Sequence, residues 1–471
     1  MEPARVHITA YGCQLNQLDA ELVAECLRAA GAQTVSDPAA ANVLLFVTCS
    51  VRDHAEQRVL SNIGALAARK RREPGLLIGL LGCMAQQYGE DVRRRAPLVD
   101  VVCAPGRLAD LPGLLAAARA SRPAVALDPR RAEGGREAFA PLDEALDDLE
   151  IRRPLGGPSP AHAYVTVMRG CDNFCAYCVV PNVRGPERSR PPRAVLEEVR
   201  RLTGQGARQV TFLGQAVNKY AAEEGGRTWD LADLVEKAAE VPGLARLAFI
   251  TSHPRAMTPR IARLFDVPRV CPYLHMPAQS GSDAVLARMN RGYTAAEYAD
   301  RVAMVRQVRP DVAVASDFIV GFPGETEADF EATLDLVRRM RFSQAFVFKY
   351  SPRPGTPAAA RGVDDVPVAE KRRRHQALLD LVQEIAGEEN RRLVGRRTVV
   401  FVEGPSPRPN LDAGRTRASR PGWVQLRGRT PDNRIAVFDG PPDLAGTEVE
   451  VDVVDASPLT LFAVLPAASP R

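Results

Sequence analysis

Cys171, Cys175 and Cys178 stand in the run Met168-Arg-Gly-Cys171-Asp-Asn-Phe-Cys175-Ala-Tyr-Cys178, a C-x3-C-x2-C spacing directly after a strand-like stretch. The spacing differs from the paired C-x2-C knuckles of zinc ribbons, and no fourth Cys or His lies close downstream, so zinc would lack a local fourth ligand. A [4Fe–4S] cluster takes four thiolates; three leave one iron with an open position that a small molecule can occupy. Three chance loop cysteines are the plain alternative, and the spacing, the strand context and the flanking Gly170 all stand against it.

Cys13, Cys49 and Cys83 look unrelated in sequence, yet each follows a predicted strand: His7–Tyr11, Val43–Thr48 and Leu76–Leu81. In a parallel sheet all carboxyl ends lie on one edge, where three thiols could converge as a second three-thiolate site. The helices that follow would aim their N-terminal dipoles at that edge and favour thiolate. Buried cysteines are common in α/β cores, so core filling is the alternative. Cys26 falls on the apolar face of a helix over Asp19–Ala30, and Cys103 and Cys271 have no partner at ligand spacing; these three read as core fillers.

The elements that must hold these thiols come in three groups. The first alternates strand and helix patterns and predicts a parallel α/β domain over residues 4–120. A Pro-, Gly- and charge-rich stretch without sustained periodicity follows, read as a linker over 121–156. Over 157–390, strand candidates at Tyr164–Met168, Gln209–Leu213, Leu247–Thr251, Val270–Leu274, Val312–Val320 and Ala345–Tyr350 alternate with helices, and a long helix at Val368–Glu389 closes the set. Six such units predict an open, partial (β/α)6 barrel with its chemistry beyond the carboxyl ends of the strands. Over 391–460, five short β runs bounded by Gly and Pro predict a small all-β barrel.

With 471 residues, 45% hydrophobic and 25% charged, the chain lies in the multidomain globular range and far from disorder. No apolar run approaches the ~20 residues of a membrane span, and Met1–Ala10 lacks the apolar stretch of a signal peptide, so a cytoplasmic protein with no membrane partner is expected. In a reducing compartment nine cysteines do not read as a disulfide framework. The net charge of +5 is modest, but its distribution is local: eleven Arg against three acids from Arg391 to Arg434, then six acids and no Lys or Arg from Ile435 to Ala456.

The triplet after a first barrel strand resembles the radical S-adenosylmethionine superfamily. The words Cys178-Val-Val-Pro-Asn-Val-Arg-Gly185, Leu213-Gly-Gln-Ala-Val-Asn-Lys-Tyr220, Thr251-Ser-His-Pro254, Leu274-His-Met-Pro-Ala-Gln-Ser-Gly281 and Asp317-Phe-Ile-Val-Gly-Phe-Pro-Gly-Glu-Thr326 are similar to its tRNA methylthiotransferases, over about residues 5 to 455. Ala216 replaces the usual Asn and Ala278 a larger aliphatic, and the 131–160 stretch is long and proline-rich.

The resemblance implies two [4Fe–4S] clusters: one on Cys171, Cys175 and Cys178 that binds S-adenosylmethionine at its open iron and cleaves it to a 5′-deoxyadenosyl radical, and an auxiliary one on Cys13, Cys49 and Cys83 that handles the sulfur. It further implies cofactor contact at Gly214 and Gln215. The reaction implied is methylthiolation of C2 of N6-isopentenyl-adenosine at position 37 of tRNA, with threonylcarbamoyl-adenosine or a ribosomal protein as the rival substrates. A flavodoxin- or ferredoxin-like electron donor and a sulfur source are the implied partners, and a monomer is expected. An unactivated C2 offers no acidic proton, so acid–base residues are not expected at the centre of the site. A non-catalytic iron–sulfur RNA-binding protein is the alternative of another class.

The C-terminal barrel resembles a TRAM domain through Gly428-Arg429-Thr430 and Asn433-Arg434; Arg427, Arg429 and Arg434 are its candidate phosphate contacts and Trp423 its stacking residue. Lys371-Arg-Arg-Arg374 reads as a solvated helix face, with tRNA phosphate contact as the alternative. His253 and His275 sit at strand ends as structural residues or substrate contacts. The Gly321-Phe-Pro-Gly324 turn either lets backbone approach a ligand or only punctuates the chain.

Overall fold

The computed structural model describes residues 4–50, 53–122, 124–130, 135–157, 159–362, 364–408 and 420–466. The chain is α/β. Its first six strands form one sheet in the order Gln33–Thr34, Arg5–Ala10, Val43–Thr48, Leu77–Gly82, Val101–Cys103, Val125–Ala126, every neighbouring pair parallel. Val43–Thr48 and Leu77–Gly82 are buried along their whole length, as strands covered by helices on both faces must be. The three short strands carry too few apolar residues to signal themselves in sequence.

Six parallel strands build the second body, in two runs of three: His162–Thr166, Gln209–Leu213 and Arg246–Phe249, then Tyr273–His275, Ala313–Val320 and Gln344–Lys349. A parallel bridge from Leu247 to Val270 and the Ser252 N–H donated to the His275 carbonyl at 2.9 Å carry one run into the next. Val165, Phe212, Leu247, Leu274 and Phe318 belong to one buried core with side chains of the surrounding helices such as Val199, Leu234 and Leu336. The result is a partial (β/α)6 barrel closed by the helix Val368–Arg391.

The segment read as a linker contains the helix Ala140–Arg152. Leu142, Leu146 and Leu149 recur at helical spacing and are buried, but the pattern spans barely two turns among Asp and Glu, which hid it. Arg153, at its end, is withdrawn from solvent and pairs with Glu21 of the first body at 2.7 Å and Glu198 of the barrel at 3.0 Å.

Lys371 and Arg374, expected on a solvated face, are buried: Arg374 pairs with Glu325 at 2.8 Å and Lys371 with Asp364. Charge-rich helix starts turn inward when acids wait there.

Residues Arg397–Pro405, Val424–Arg429, Ile435–Gly440, Thr460–Val464 and Glu448–Ala456 close, in that order, into a five-stranded barrel. It docks where the large barrel's strands begin: Arg246 binds Glu448 at 2.5 Å and the Arg429 carbonyl at 2.8 Å, and the His162 and Phe401 rings meet at 6.5 Å. Among the described residues no helix is long and apolar enough to cross a membrane.

Candidate functional site

Cys13, Cys49 and Cys83 follow three adjacent strands of the first sheet at their carboxyl ends. Gly12 makes the approach possible: its φ is +127°, and a Cβ there would lie 2.4 Å from Cys49 Cβ. The Cys13 and Cys49 side chains are hydrogen-bonded to each other, and this bond pulls the Cys13 thiol from 9.0 down to about 6 despite its burial. Cys83 feels the charge of Cys13, and burial raises its thiol. Asn16 braces the group, its Oδ1 lying 3.0 Å from Cys13 Sγ and its Nδ2 donating to the Thr48 carbonyl at 2.7 Å.

The second triplet lies in the loop after the first barrel strand. Gly170, at φ +73°, passes so close to the Pro186 carbonyl that a Cβ would stand 1.9 Å from its oxygen, which tucks the loop against the 185–186 backbone. Asn173 Nδ2 donates to Cys171 Sγ at 3.2 Å, and Arg291 Nη1 donates to Cys175 Sγ at 3.1 Å. Burial pushes the Cys178 thiol up, and the charges of Cys175 and Cys171 add to the rise, so the three thiols lie within electrostatic reach of one another. Burial raises Cys171 as well.

Each triplet thus fits a group that takes three thiolates and carries negative charge, because a guanidinium stands beside it: Arg291 at Cys175 and Arg184 at Cys83, 3.3 Å from Nε to Sγ. Among the described residues no three His, Cys, Asp or Glu side chains converge tightly enough to hold a single metal ion. Ligands of a cuboidal cluster bind separate irons and stand further apart.

A small cavity of about 30 Å³ is lined from the first body by Asp19, Leu15 and Asp128 and from the barrel by Met168, Arg169 and Arg184. Gln215 also lines it, and its buried Oε1 has no hydrogen-bond partner, an acceptor held ready for a donor such as an ammonium group. Gly214 has a packing reason: a Cβ would sit 2.5 Å from Met168 Cγ.

His253 is fixed by paired backbone bonds with Asn218, and its Nδ1 accepts the Arg255 N–H at 3.3 Å. Burial, with Arg291, holds its ring down to about 3. His275 Nε2 lies 3.5 Å from Asp317 Oδ2. The turn glycine Gly321 packs on Lys371, toward which its Cβ would point at 2.3 Å from Cγ.

Cys26, Cys103 and Cys271 are buried. Arg427 and Arg429 both pair with Glu403, at 3.1 and 2.9 Å, and Arg434 pairs with Asp432 at 2.6 Å, so the three candidate phosphate contacts already hold carboxylates. Arg420 stacks over Trp423 at 4.7 Å. Sequence reasoning missed Arg184 and Arg291, whose pairing with thiols 101 and 116 residues away leaves no local signal.

The Radical SAM superfamily matches residues 165–337, and the Uncharacterized protein family UPF0004 matches residues 5–104. A tRNA-2-methylthio-N(6)-dimethylallyladenosine synthase of Rhodopirellula baltica is 43% identical over 464 residues, 97% of this chain and 94% of that protein. One of Chromobacterium violaceum is 42% identical over 463 residues, 97% of each chain. Among solved structures, the radical S-adenosylmethionine methyltransferase TsrM of Kitasatospora setae is similar with a TM-score of 0.53 at 14% identity, covering 76% of this chain and 77% of that one; this is a likeness of fold.

Proposed function

Because the chain belongs to the tRNA-2-methylthio-N(6)-dimethylallyladenosine synthases, we propose that its two thiol triplets divide one reaction, the methylthiolation of C2 of N6-isopentenyl-adenosine in tRNA. It is a radical S-adenosylmethionine enzyme that works with [4Fe–4S] clusters. The adenosine is that at position 37.

The observation that carries the division of labour is the placement of the triplets: one on the edge of the first sheet, one on the first barrel loop, with a cavity lined by both bodies. Cys171, Cys175 and Cys178 hold one cluster and Cys13, Cys49 and Cys83 the other. Cys171, Cys175 and Cys178 would hold the cluster that, when bound, would supply the electron for reductive cleavage of S-adenosylmethionine and with it the power to take hydrogen from an unactivated carbon.

The chain's own residues position and shield. Gln215 Oε1, buried and without a hydrogen-bond partner, would accept from the ammonium of the cofactor's methionine end, and Met168, packed on Gly214, lines the same cavity. Arg291 offsets the charge gathered at Cys175. The C-terminal barrel binds tRNA phosphate, with Arg427, Arg429 and Arg434 as its contacts. A flavodoxin- or ferredoxin-like protein supplies electrons and a separate source supplies sulfur. The enzyme acts as a cytoplasmic monomer.

Mass spectrometry of tRNA nucleosides from cells with and without this chain tests the reading. Methylthio-isopentenyl-adenosine should disappear with the chain, and an unchanged level would remove the substrate assignment.

A further inference from the structure

Arg184 follows the short helix Val180–Val183, immediately beyond the second cysteine triplet, yet its side chain turns to the first body. Its Nε donates to Cys83 Sγ at 3.3 Å while its Nη2 donates to Asp19 in an ion pair. Both side chains are nearly withdrawn from solvent, at 12% and 9%. Val179 and Val183 pack on Cys83 and hold that reach in place. Asp19 lies on the helix Gln14–Ala29, whose N-cap is Cys13, so the pair ties the Cys83 thiol to the element that carries Cys13.

We infer that Arg184, supplied by the barrel, is a positioning residue of the Cys13, Cys49 and Cys83 site that sets the charge felt by a group bound there, with Asp19 as its counterweight. The inference rests on the reading of these thiols as cluster ligands.

Three geometrical facts support it. Among the described residues the side chain that donates to Cys83 Sγ comes from the barrel, as Arg184 Nε at 3.3 Å, and not from the body that carries the triad. A guanidinium can meet a sulfur through Nε and a carboxylate through Nη2 at once, whereas an ammonium offers no such fork. Near-complete burial keeps the charges poorly screened.

The electrostatic consequence has a sign. Reduction adds negative charge to a thiolate-bound cluster, so a nearby cation and an N–H donated to sulfur both favour the reduced form, and a nearby carboxylate opposes it. Arg184 therefore raises the midpoint potential of the group on this triad and Asp19 lowers it. A residue that served only as a clamp between two bodies would alter loading or stability but would not shift the potential in opposite directions from its two ends.

The test uses the full chain carrying Cys171→Ala, Cys175→Ala and Cys178→Ala, reconstituted with iron and sulfide so that only the first triad can load. Iron content is counted and the midpoint is read by redox titration followed by electron paramagnetic resonance. A chain that loads no iron would overturn the reading of the triad, and the inference with it. In a chain that loads, Arg184→Gln should shift the midpoint to more negative potential, Arg184→Lys by less, and Asp19→Asn to more positive potential. Equal midpoints in all four chains would overturn the role of Arg184 while leaving the triad as ligands. Should Arg184→Gln fail to load, the Asp19→Asn shift decides alone: a positive shift supports the inference, and no shift or a negative one removes it.

Discussion

Arg153 and Glu198 form an ion pair at 3.0 Å from which water is excluded at both ends. Arg153 also reaches Glu21, and Glu198 also holds Arg190 at 2.7 Å, which in turn holds Glu150 at 2.9 Å and Asp147 at 2.7 Å. This network joins the first body, the helix Ala140–Arg152 and the barrel, and it reaches Arg169, two residues before Cys171. Removing one partner of a buried pair leaves an uncompensated charge at a cost of about 3–5 kcal/mol. Glu198→Ala takes one carboxylate from each of two buried guanidinium groups, leaving Arg153 with Glu21 and Arg190 with Glu150 and Asp147, so it should lower stability by about 3 kcal/mol, the low end of that range, read as a drop in the urea midpoint at unchanged slope. A drop under about 1 kcal/mol would mean that water repairs the site.

His162 makes acid stability testable. Its Nε2 lies 2.9 Å from Thr211 Oγ1, and burial, with Arg429 and Arg246 nearby, holds the ring down from 6.5 to about 3. Between those values the unfolded chain binds a proton that the folded one refuses, so stability is full above pH 6.5 and falls as pH falls toward 3. The slope approaches about 1.4 kcal/mol per pH unit. Glu21, raised by burial to about 7, acts in the opposite sense, losing stability as pH rises from 4.5. The difference between the parent and His162→Gln across pH 4–6, measured by urea unfolding, isolates the histidine. Parallel curves would count against it.

Much of this is legible in sequence because parallel strands bring their carboxyl ends to one edge: that rule makes a shared site for Cys13, Cys49 and Cys83 one of two readings, beside core filling, and the family resemblance decides for it. The rule needs only long apolar runs, which Val43–Thr48 and Leu77–Gly82 supply. It is silent on charges. Lys371 and Arg374 read as solvated because their acids, Asp364 and Glu325, come from other segments, and the Arg184 to Cys83 contact exists only after two bodies dock. Ala140–Arg152 escaped because a short acidic helix with a narrow apolar stripe resembles a linker.

The two triplets should be separable by chemistry. Cys171→Ala, Cys175→Ala or Cys178→Ala should abolish reductive cleavage of S-adenosylmethionine, read as loss of 5′-deoxyadenosine. Cys13→Ala, Cys49→Ala and Cys83→Ala should still make 5′-deoxyadenosine, bind roughly half the iron and give no methylthio product. Core-filling cysteines would instead cost about 1–3 kcal/mol of stability with iron and product retained. A folded Cys83→Ala chain with full iron and full product would take that thiol out of the site.

The phosphate contacts of the C-terminal barrel can be tested through the acid they share. Glu403 lies between Arg427 and Arg429, at 3.1 and 2.9 Å, and cancels one of their two charges. Arg434 is matched by Asp432, so the three arginines present a net charge of about one toward RNA. If that face meets phosphate, Glu403→Gln frees a second guanidinium, and tRNA should bind more tightly at low salt, with the slope of log K against log salt steeper by about one unit or less. Replacing Arg427, Arg429 and Arg434 with Ala should do the reverse, while cleavage of S-adenosylmethionine without RNA stays unchanged. The geometry also offers the opposite outcome: Arg246 ties this barrel to the large one through Glu448 and the Arg429 carbonyl, so the arginines could serve docking alone. In that case Glu403→Gln would leave the salt slope where it was and lower only the thermal stability, and the RNA contact would have to be sought elsewhere on the chain.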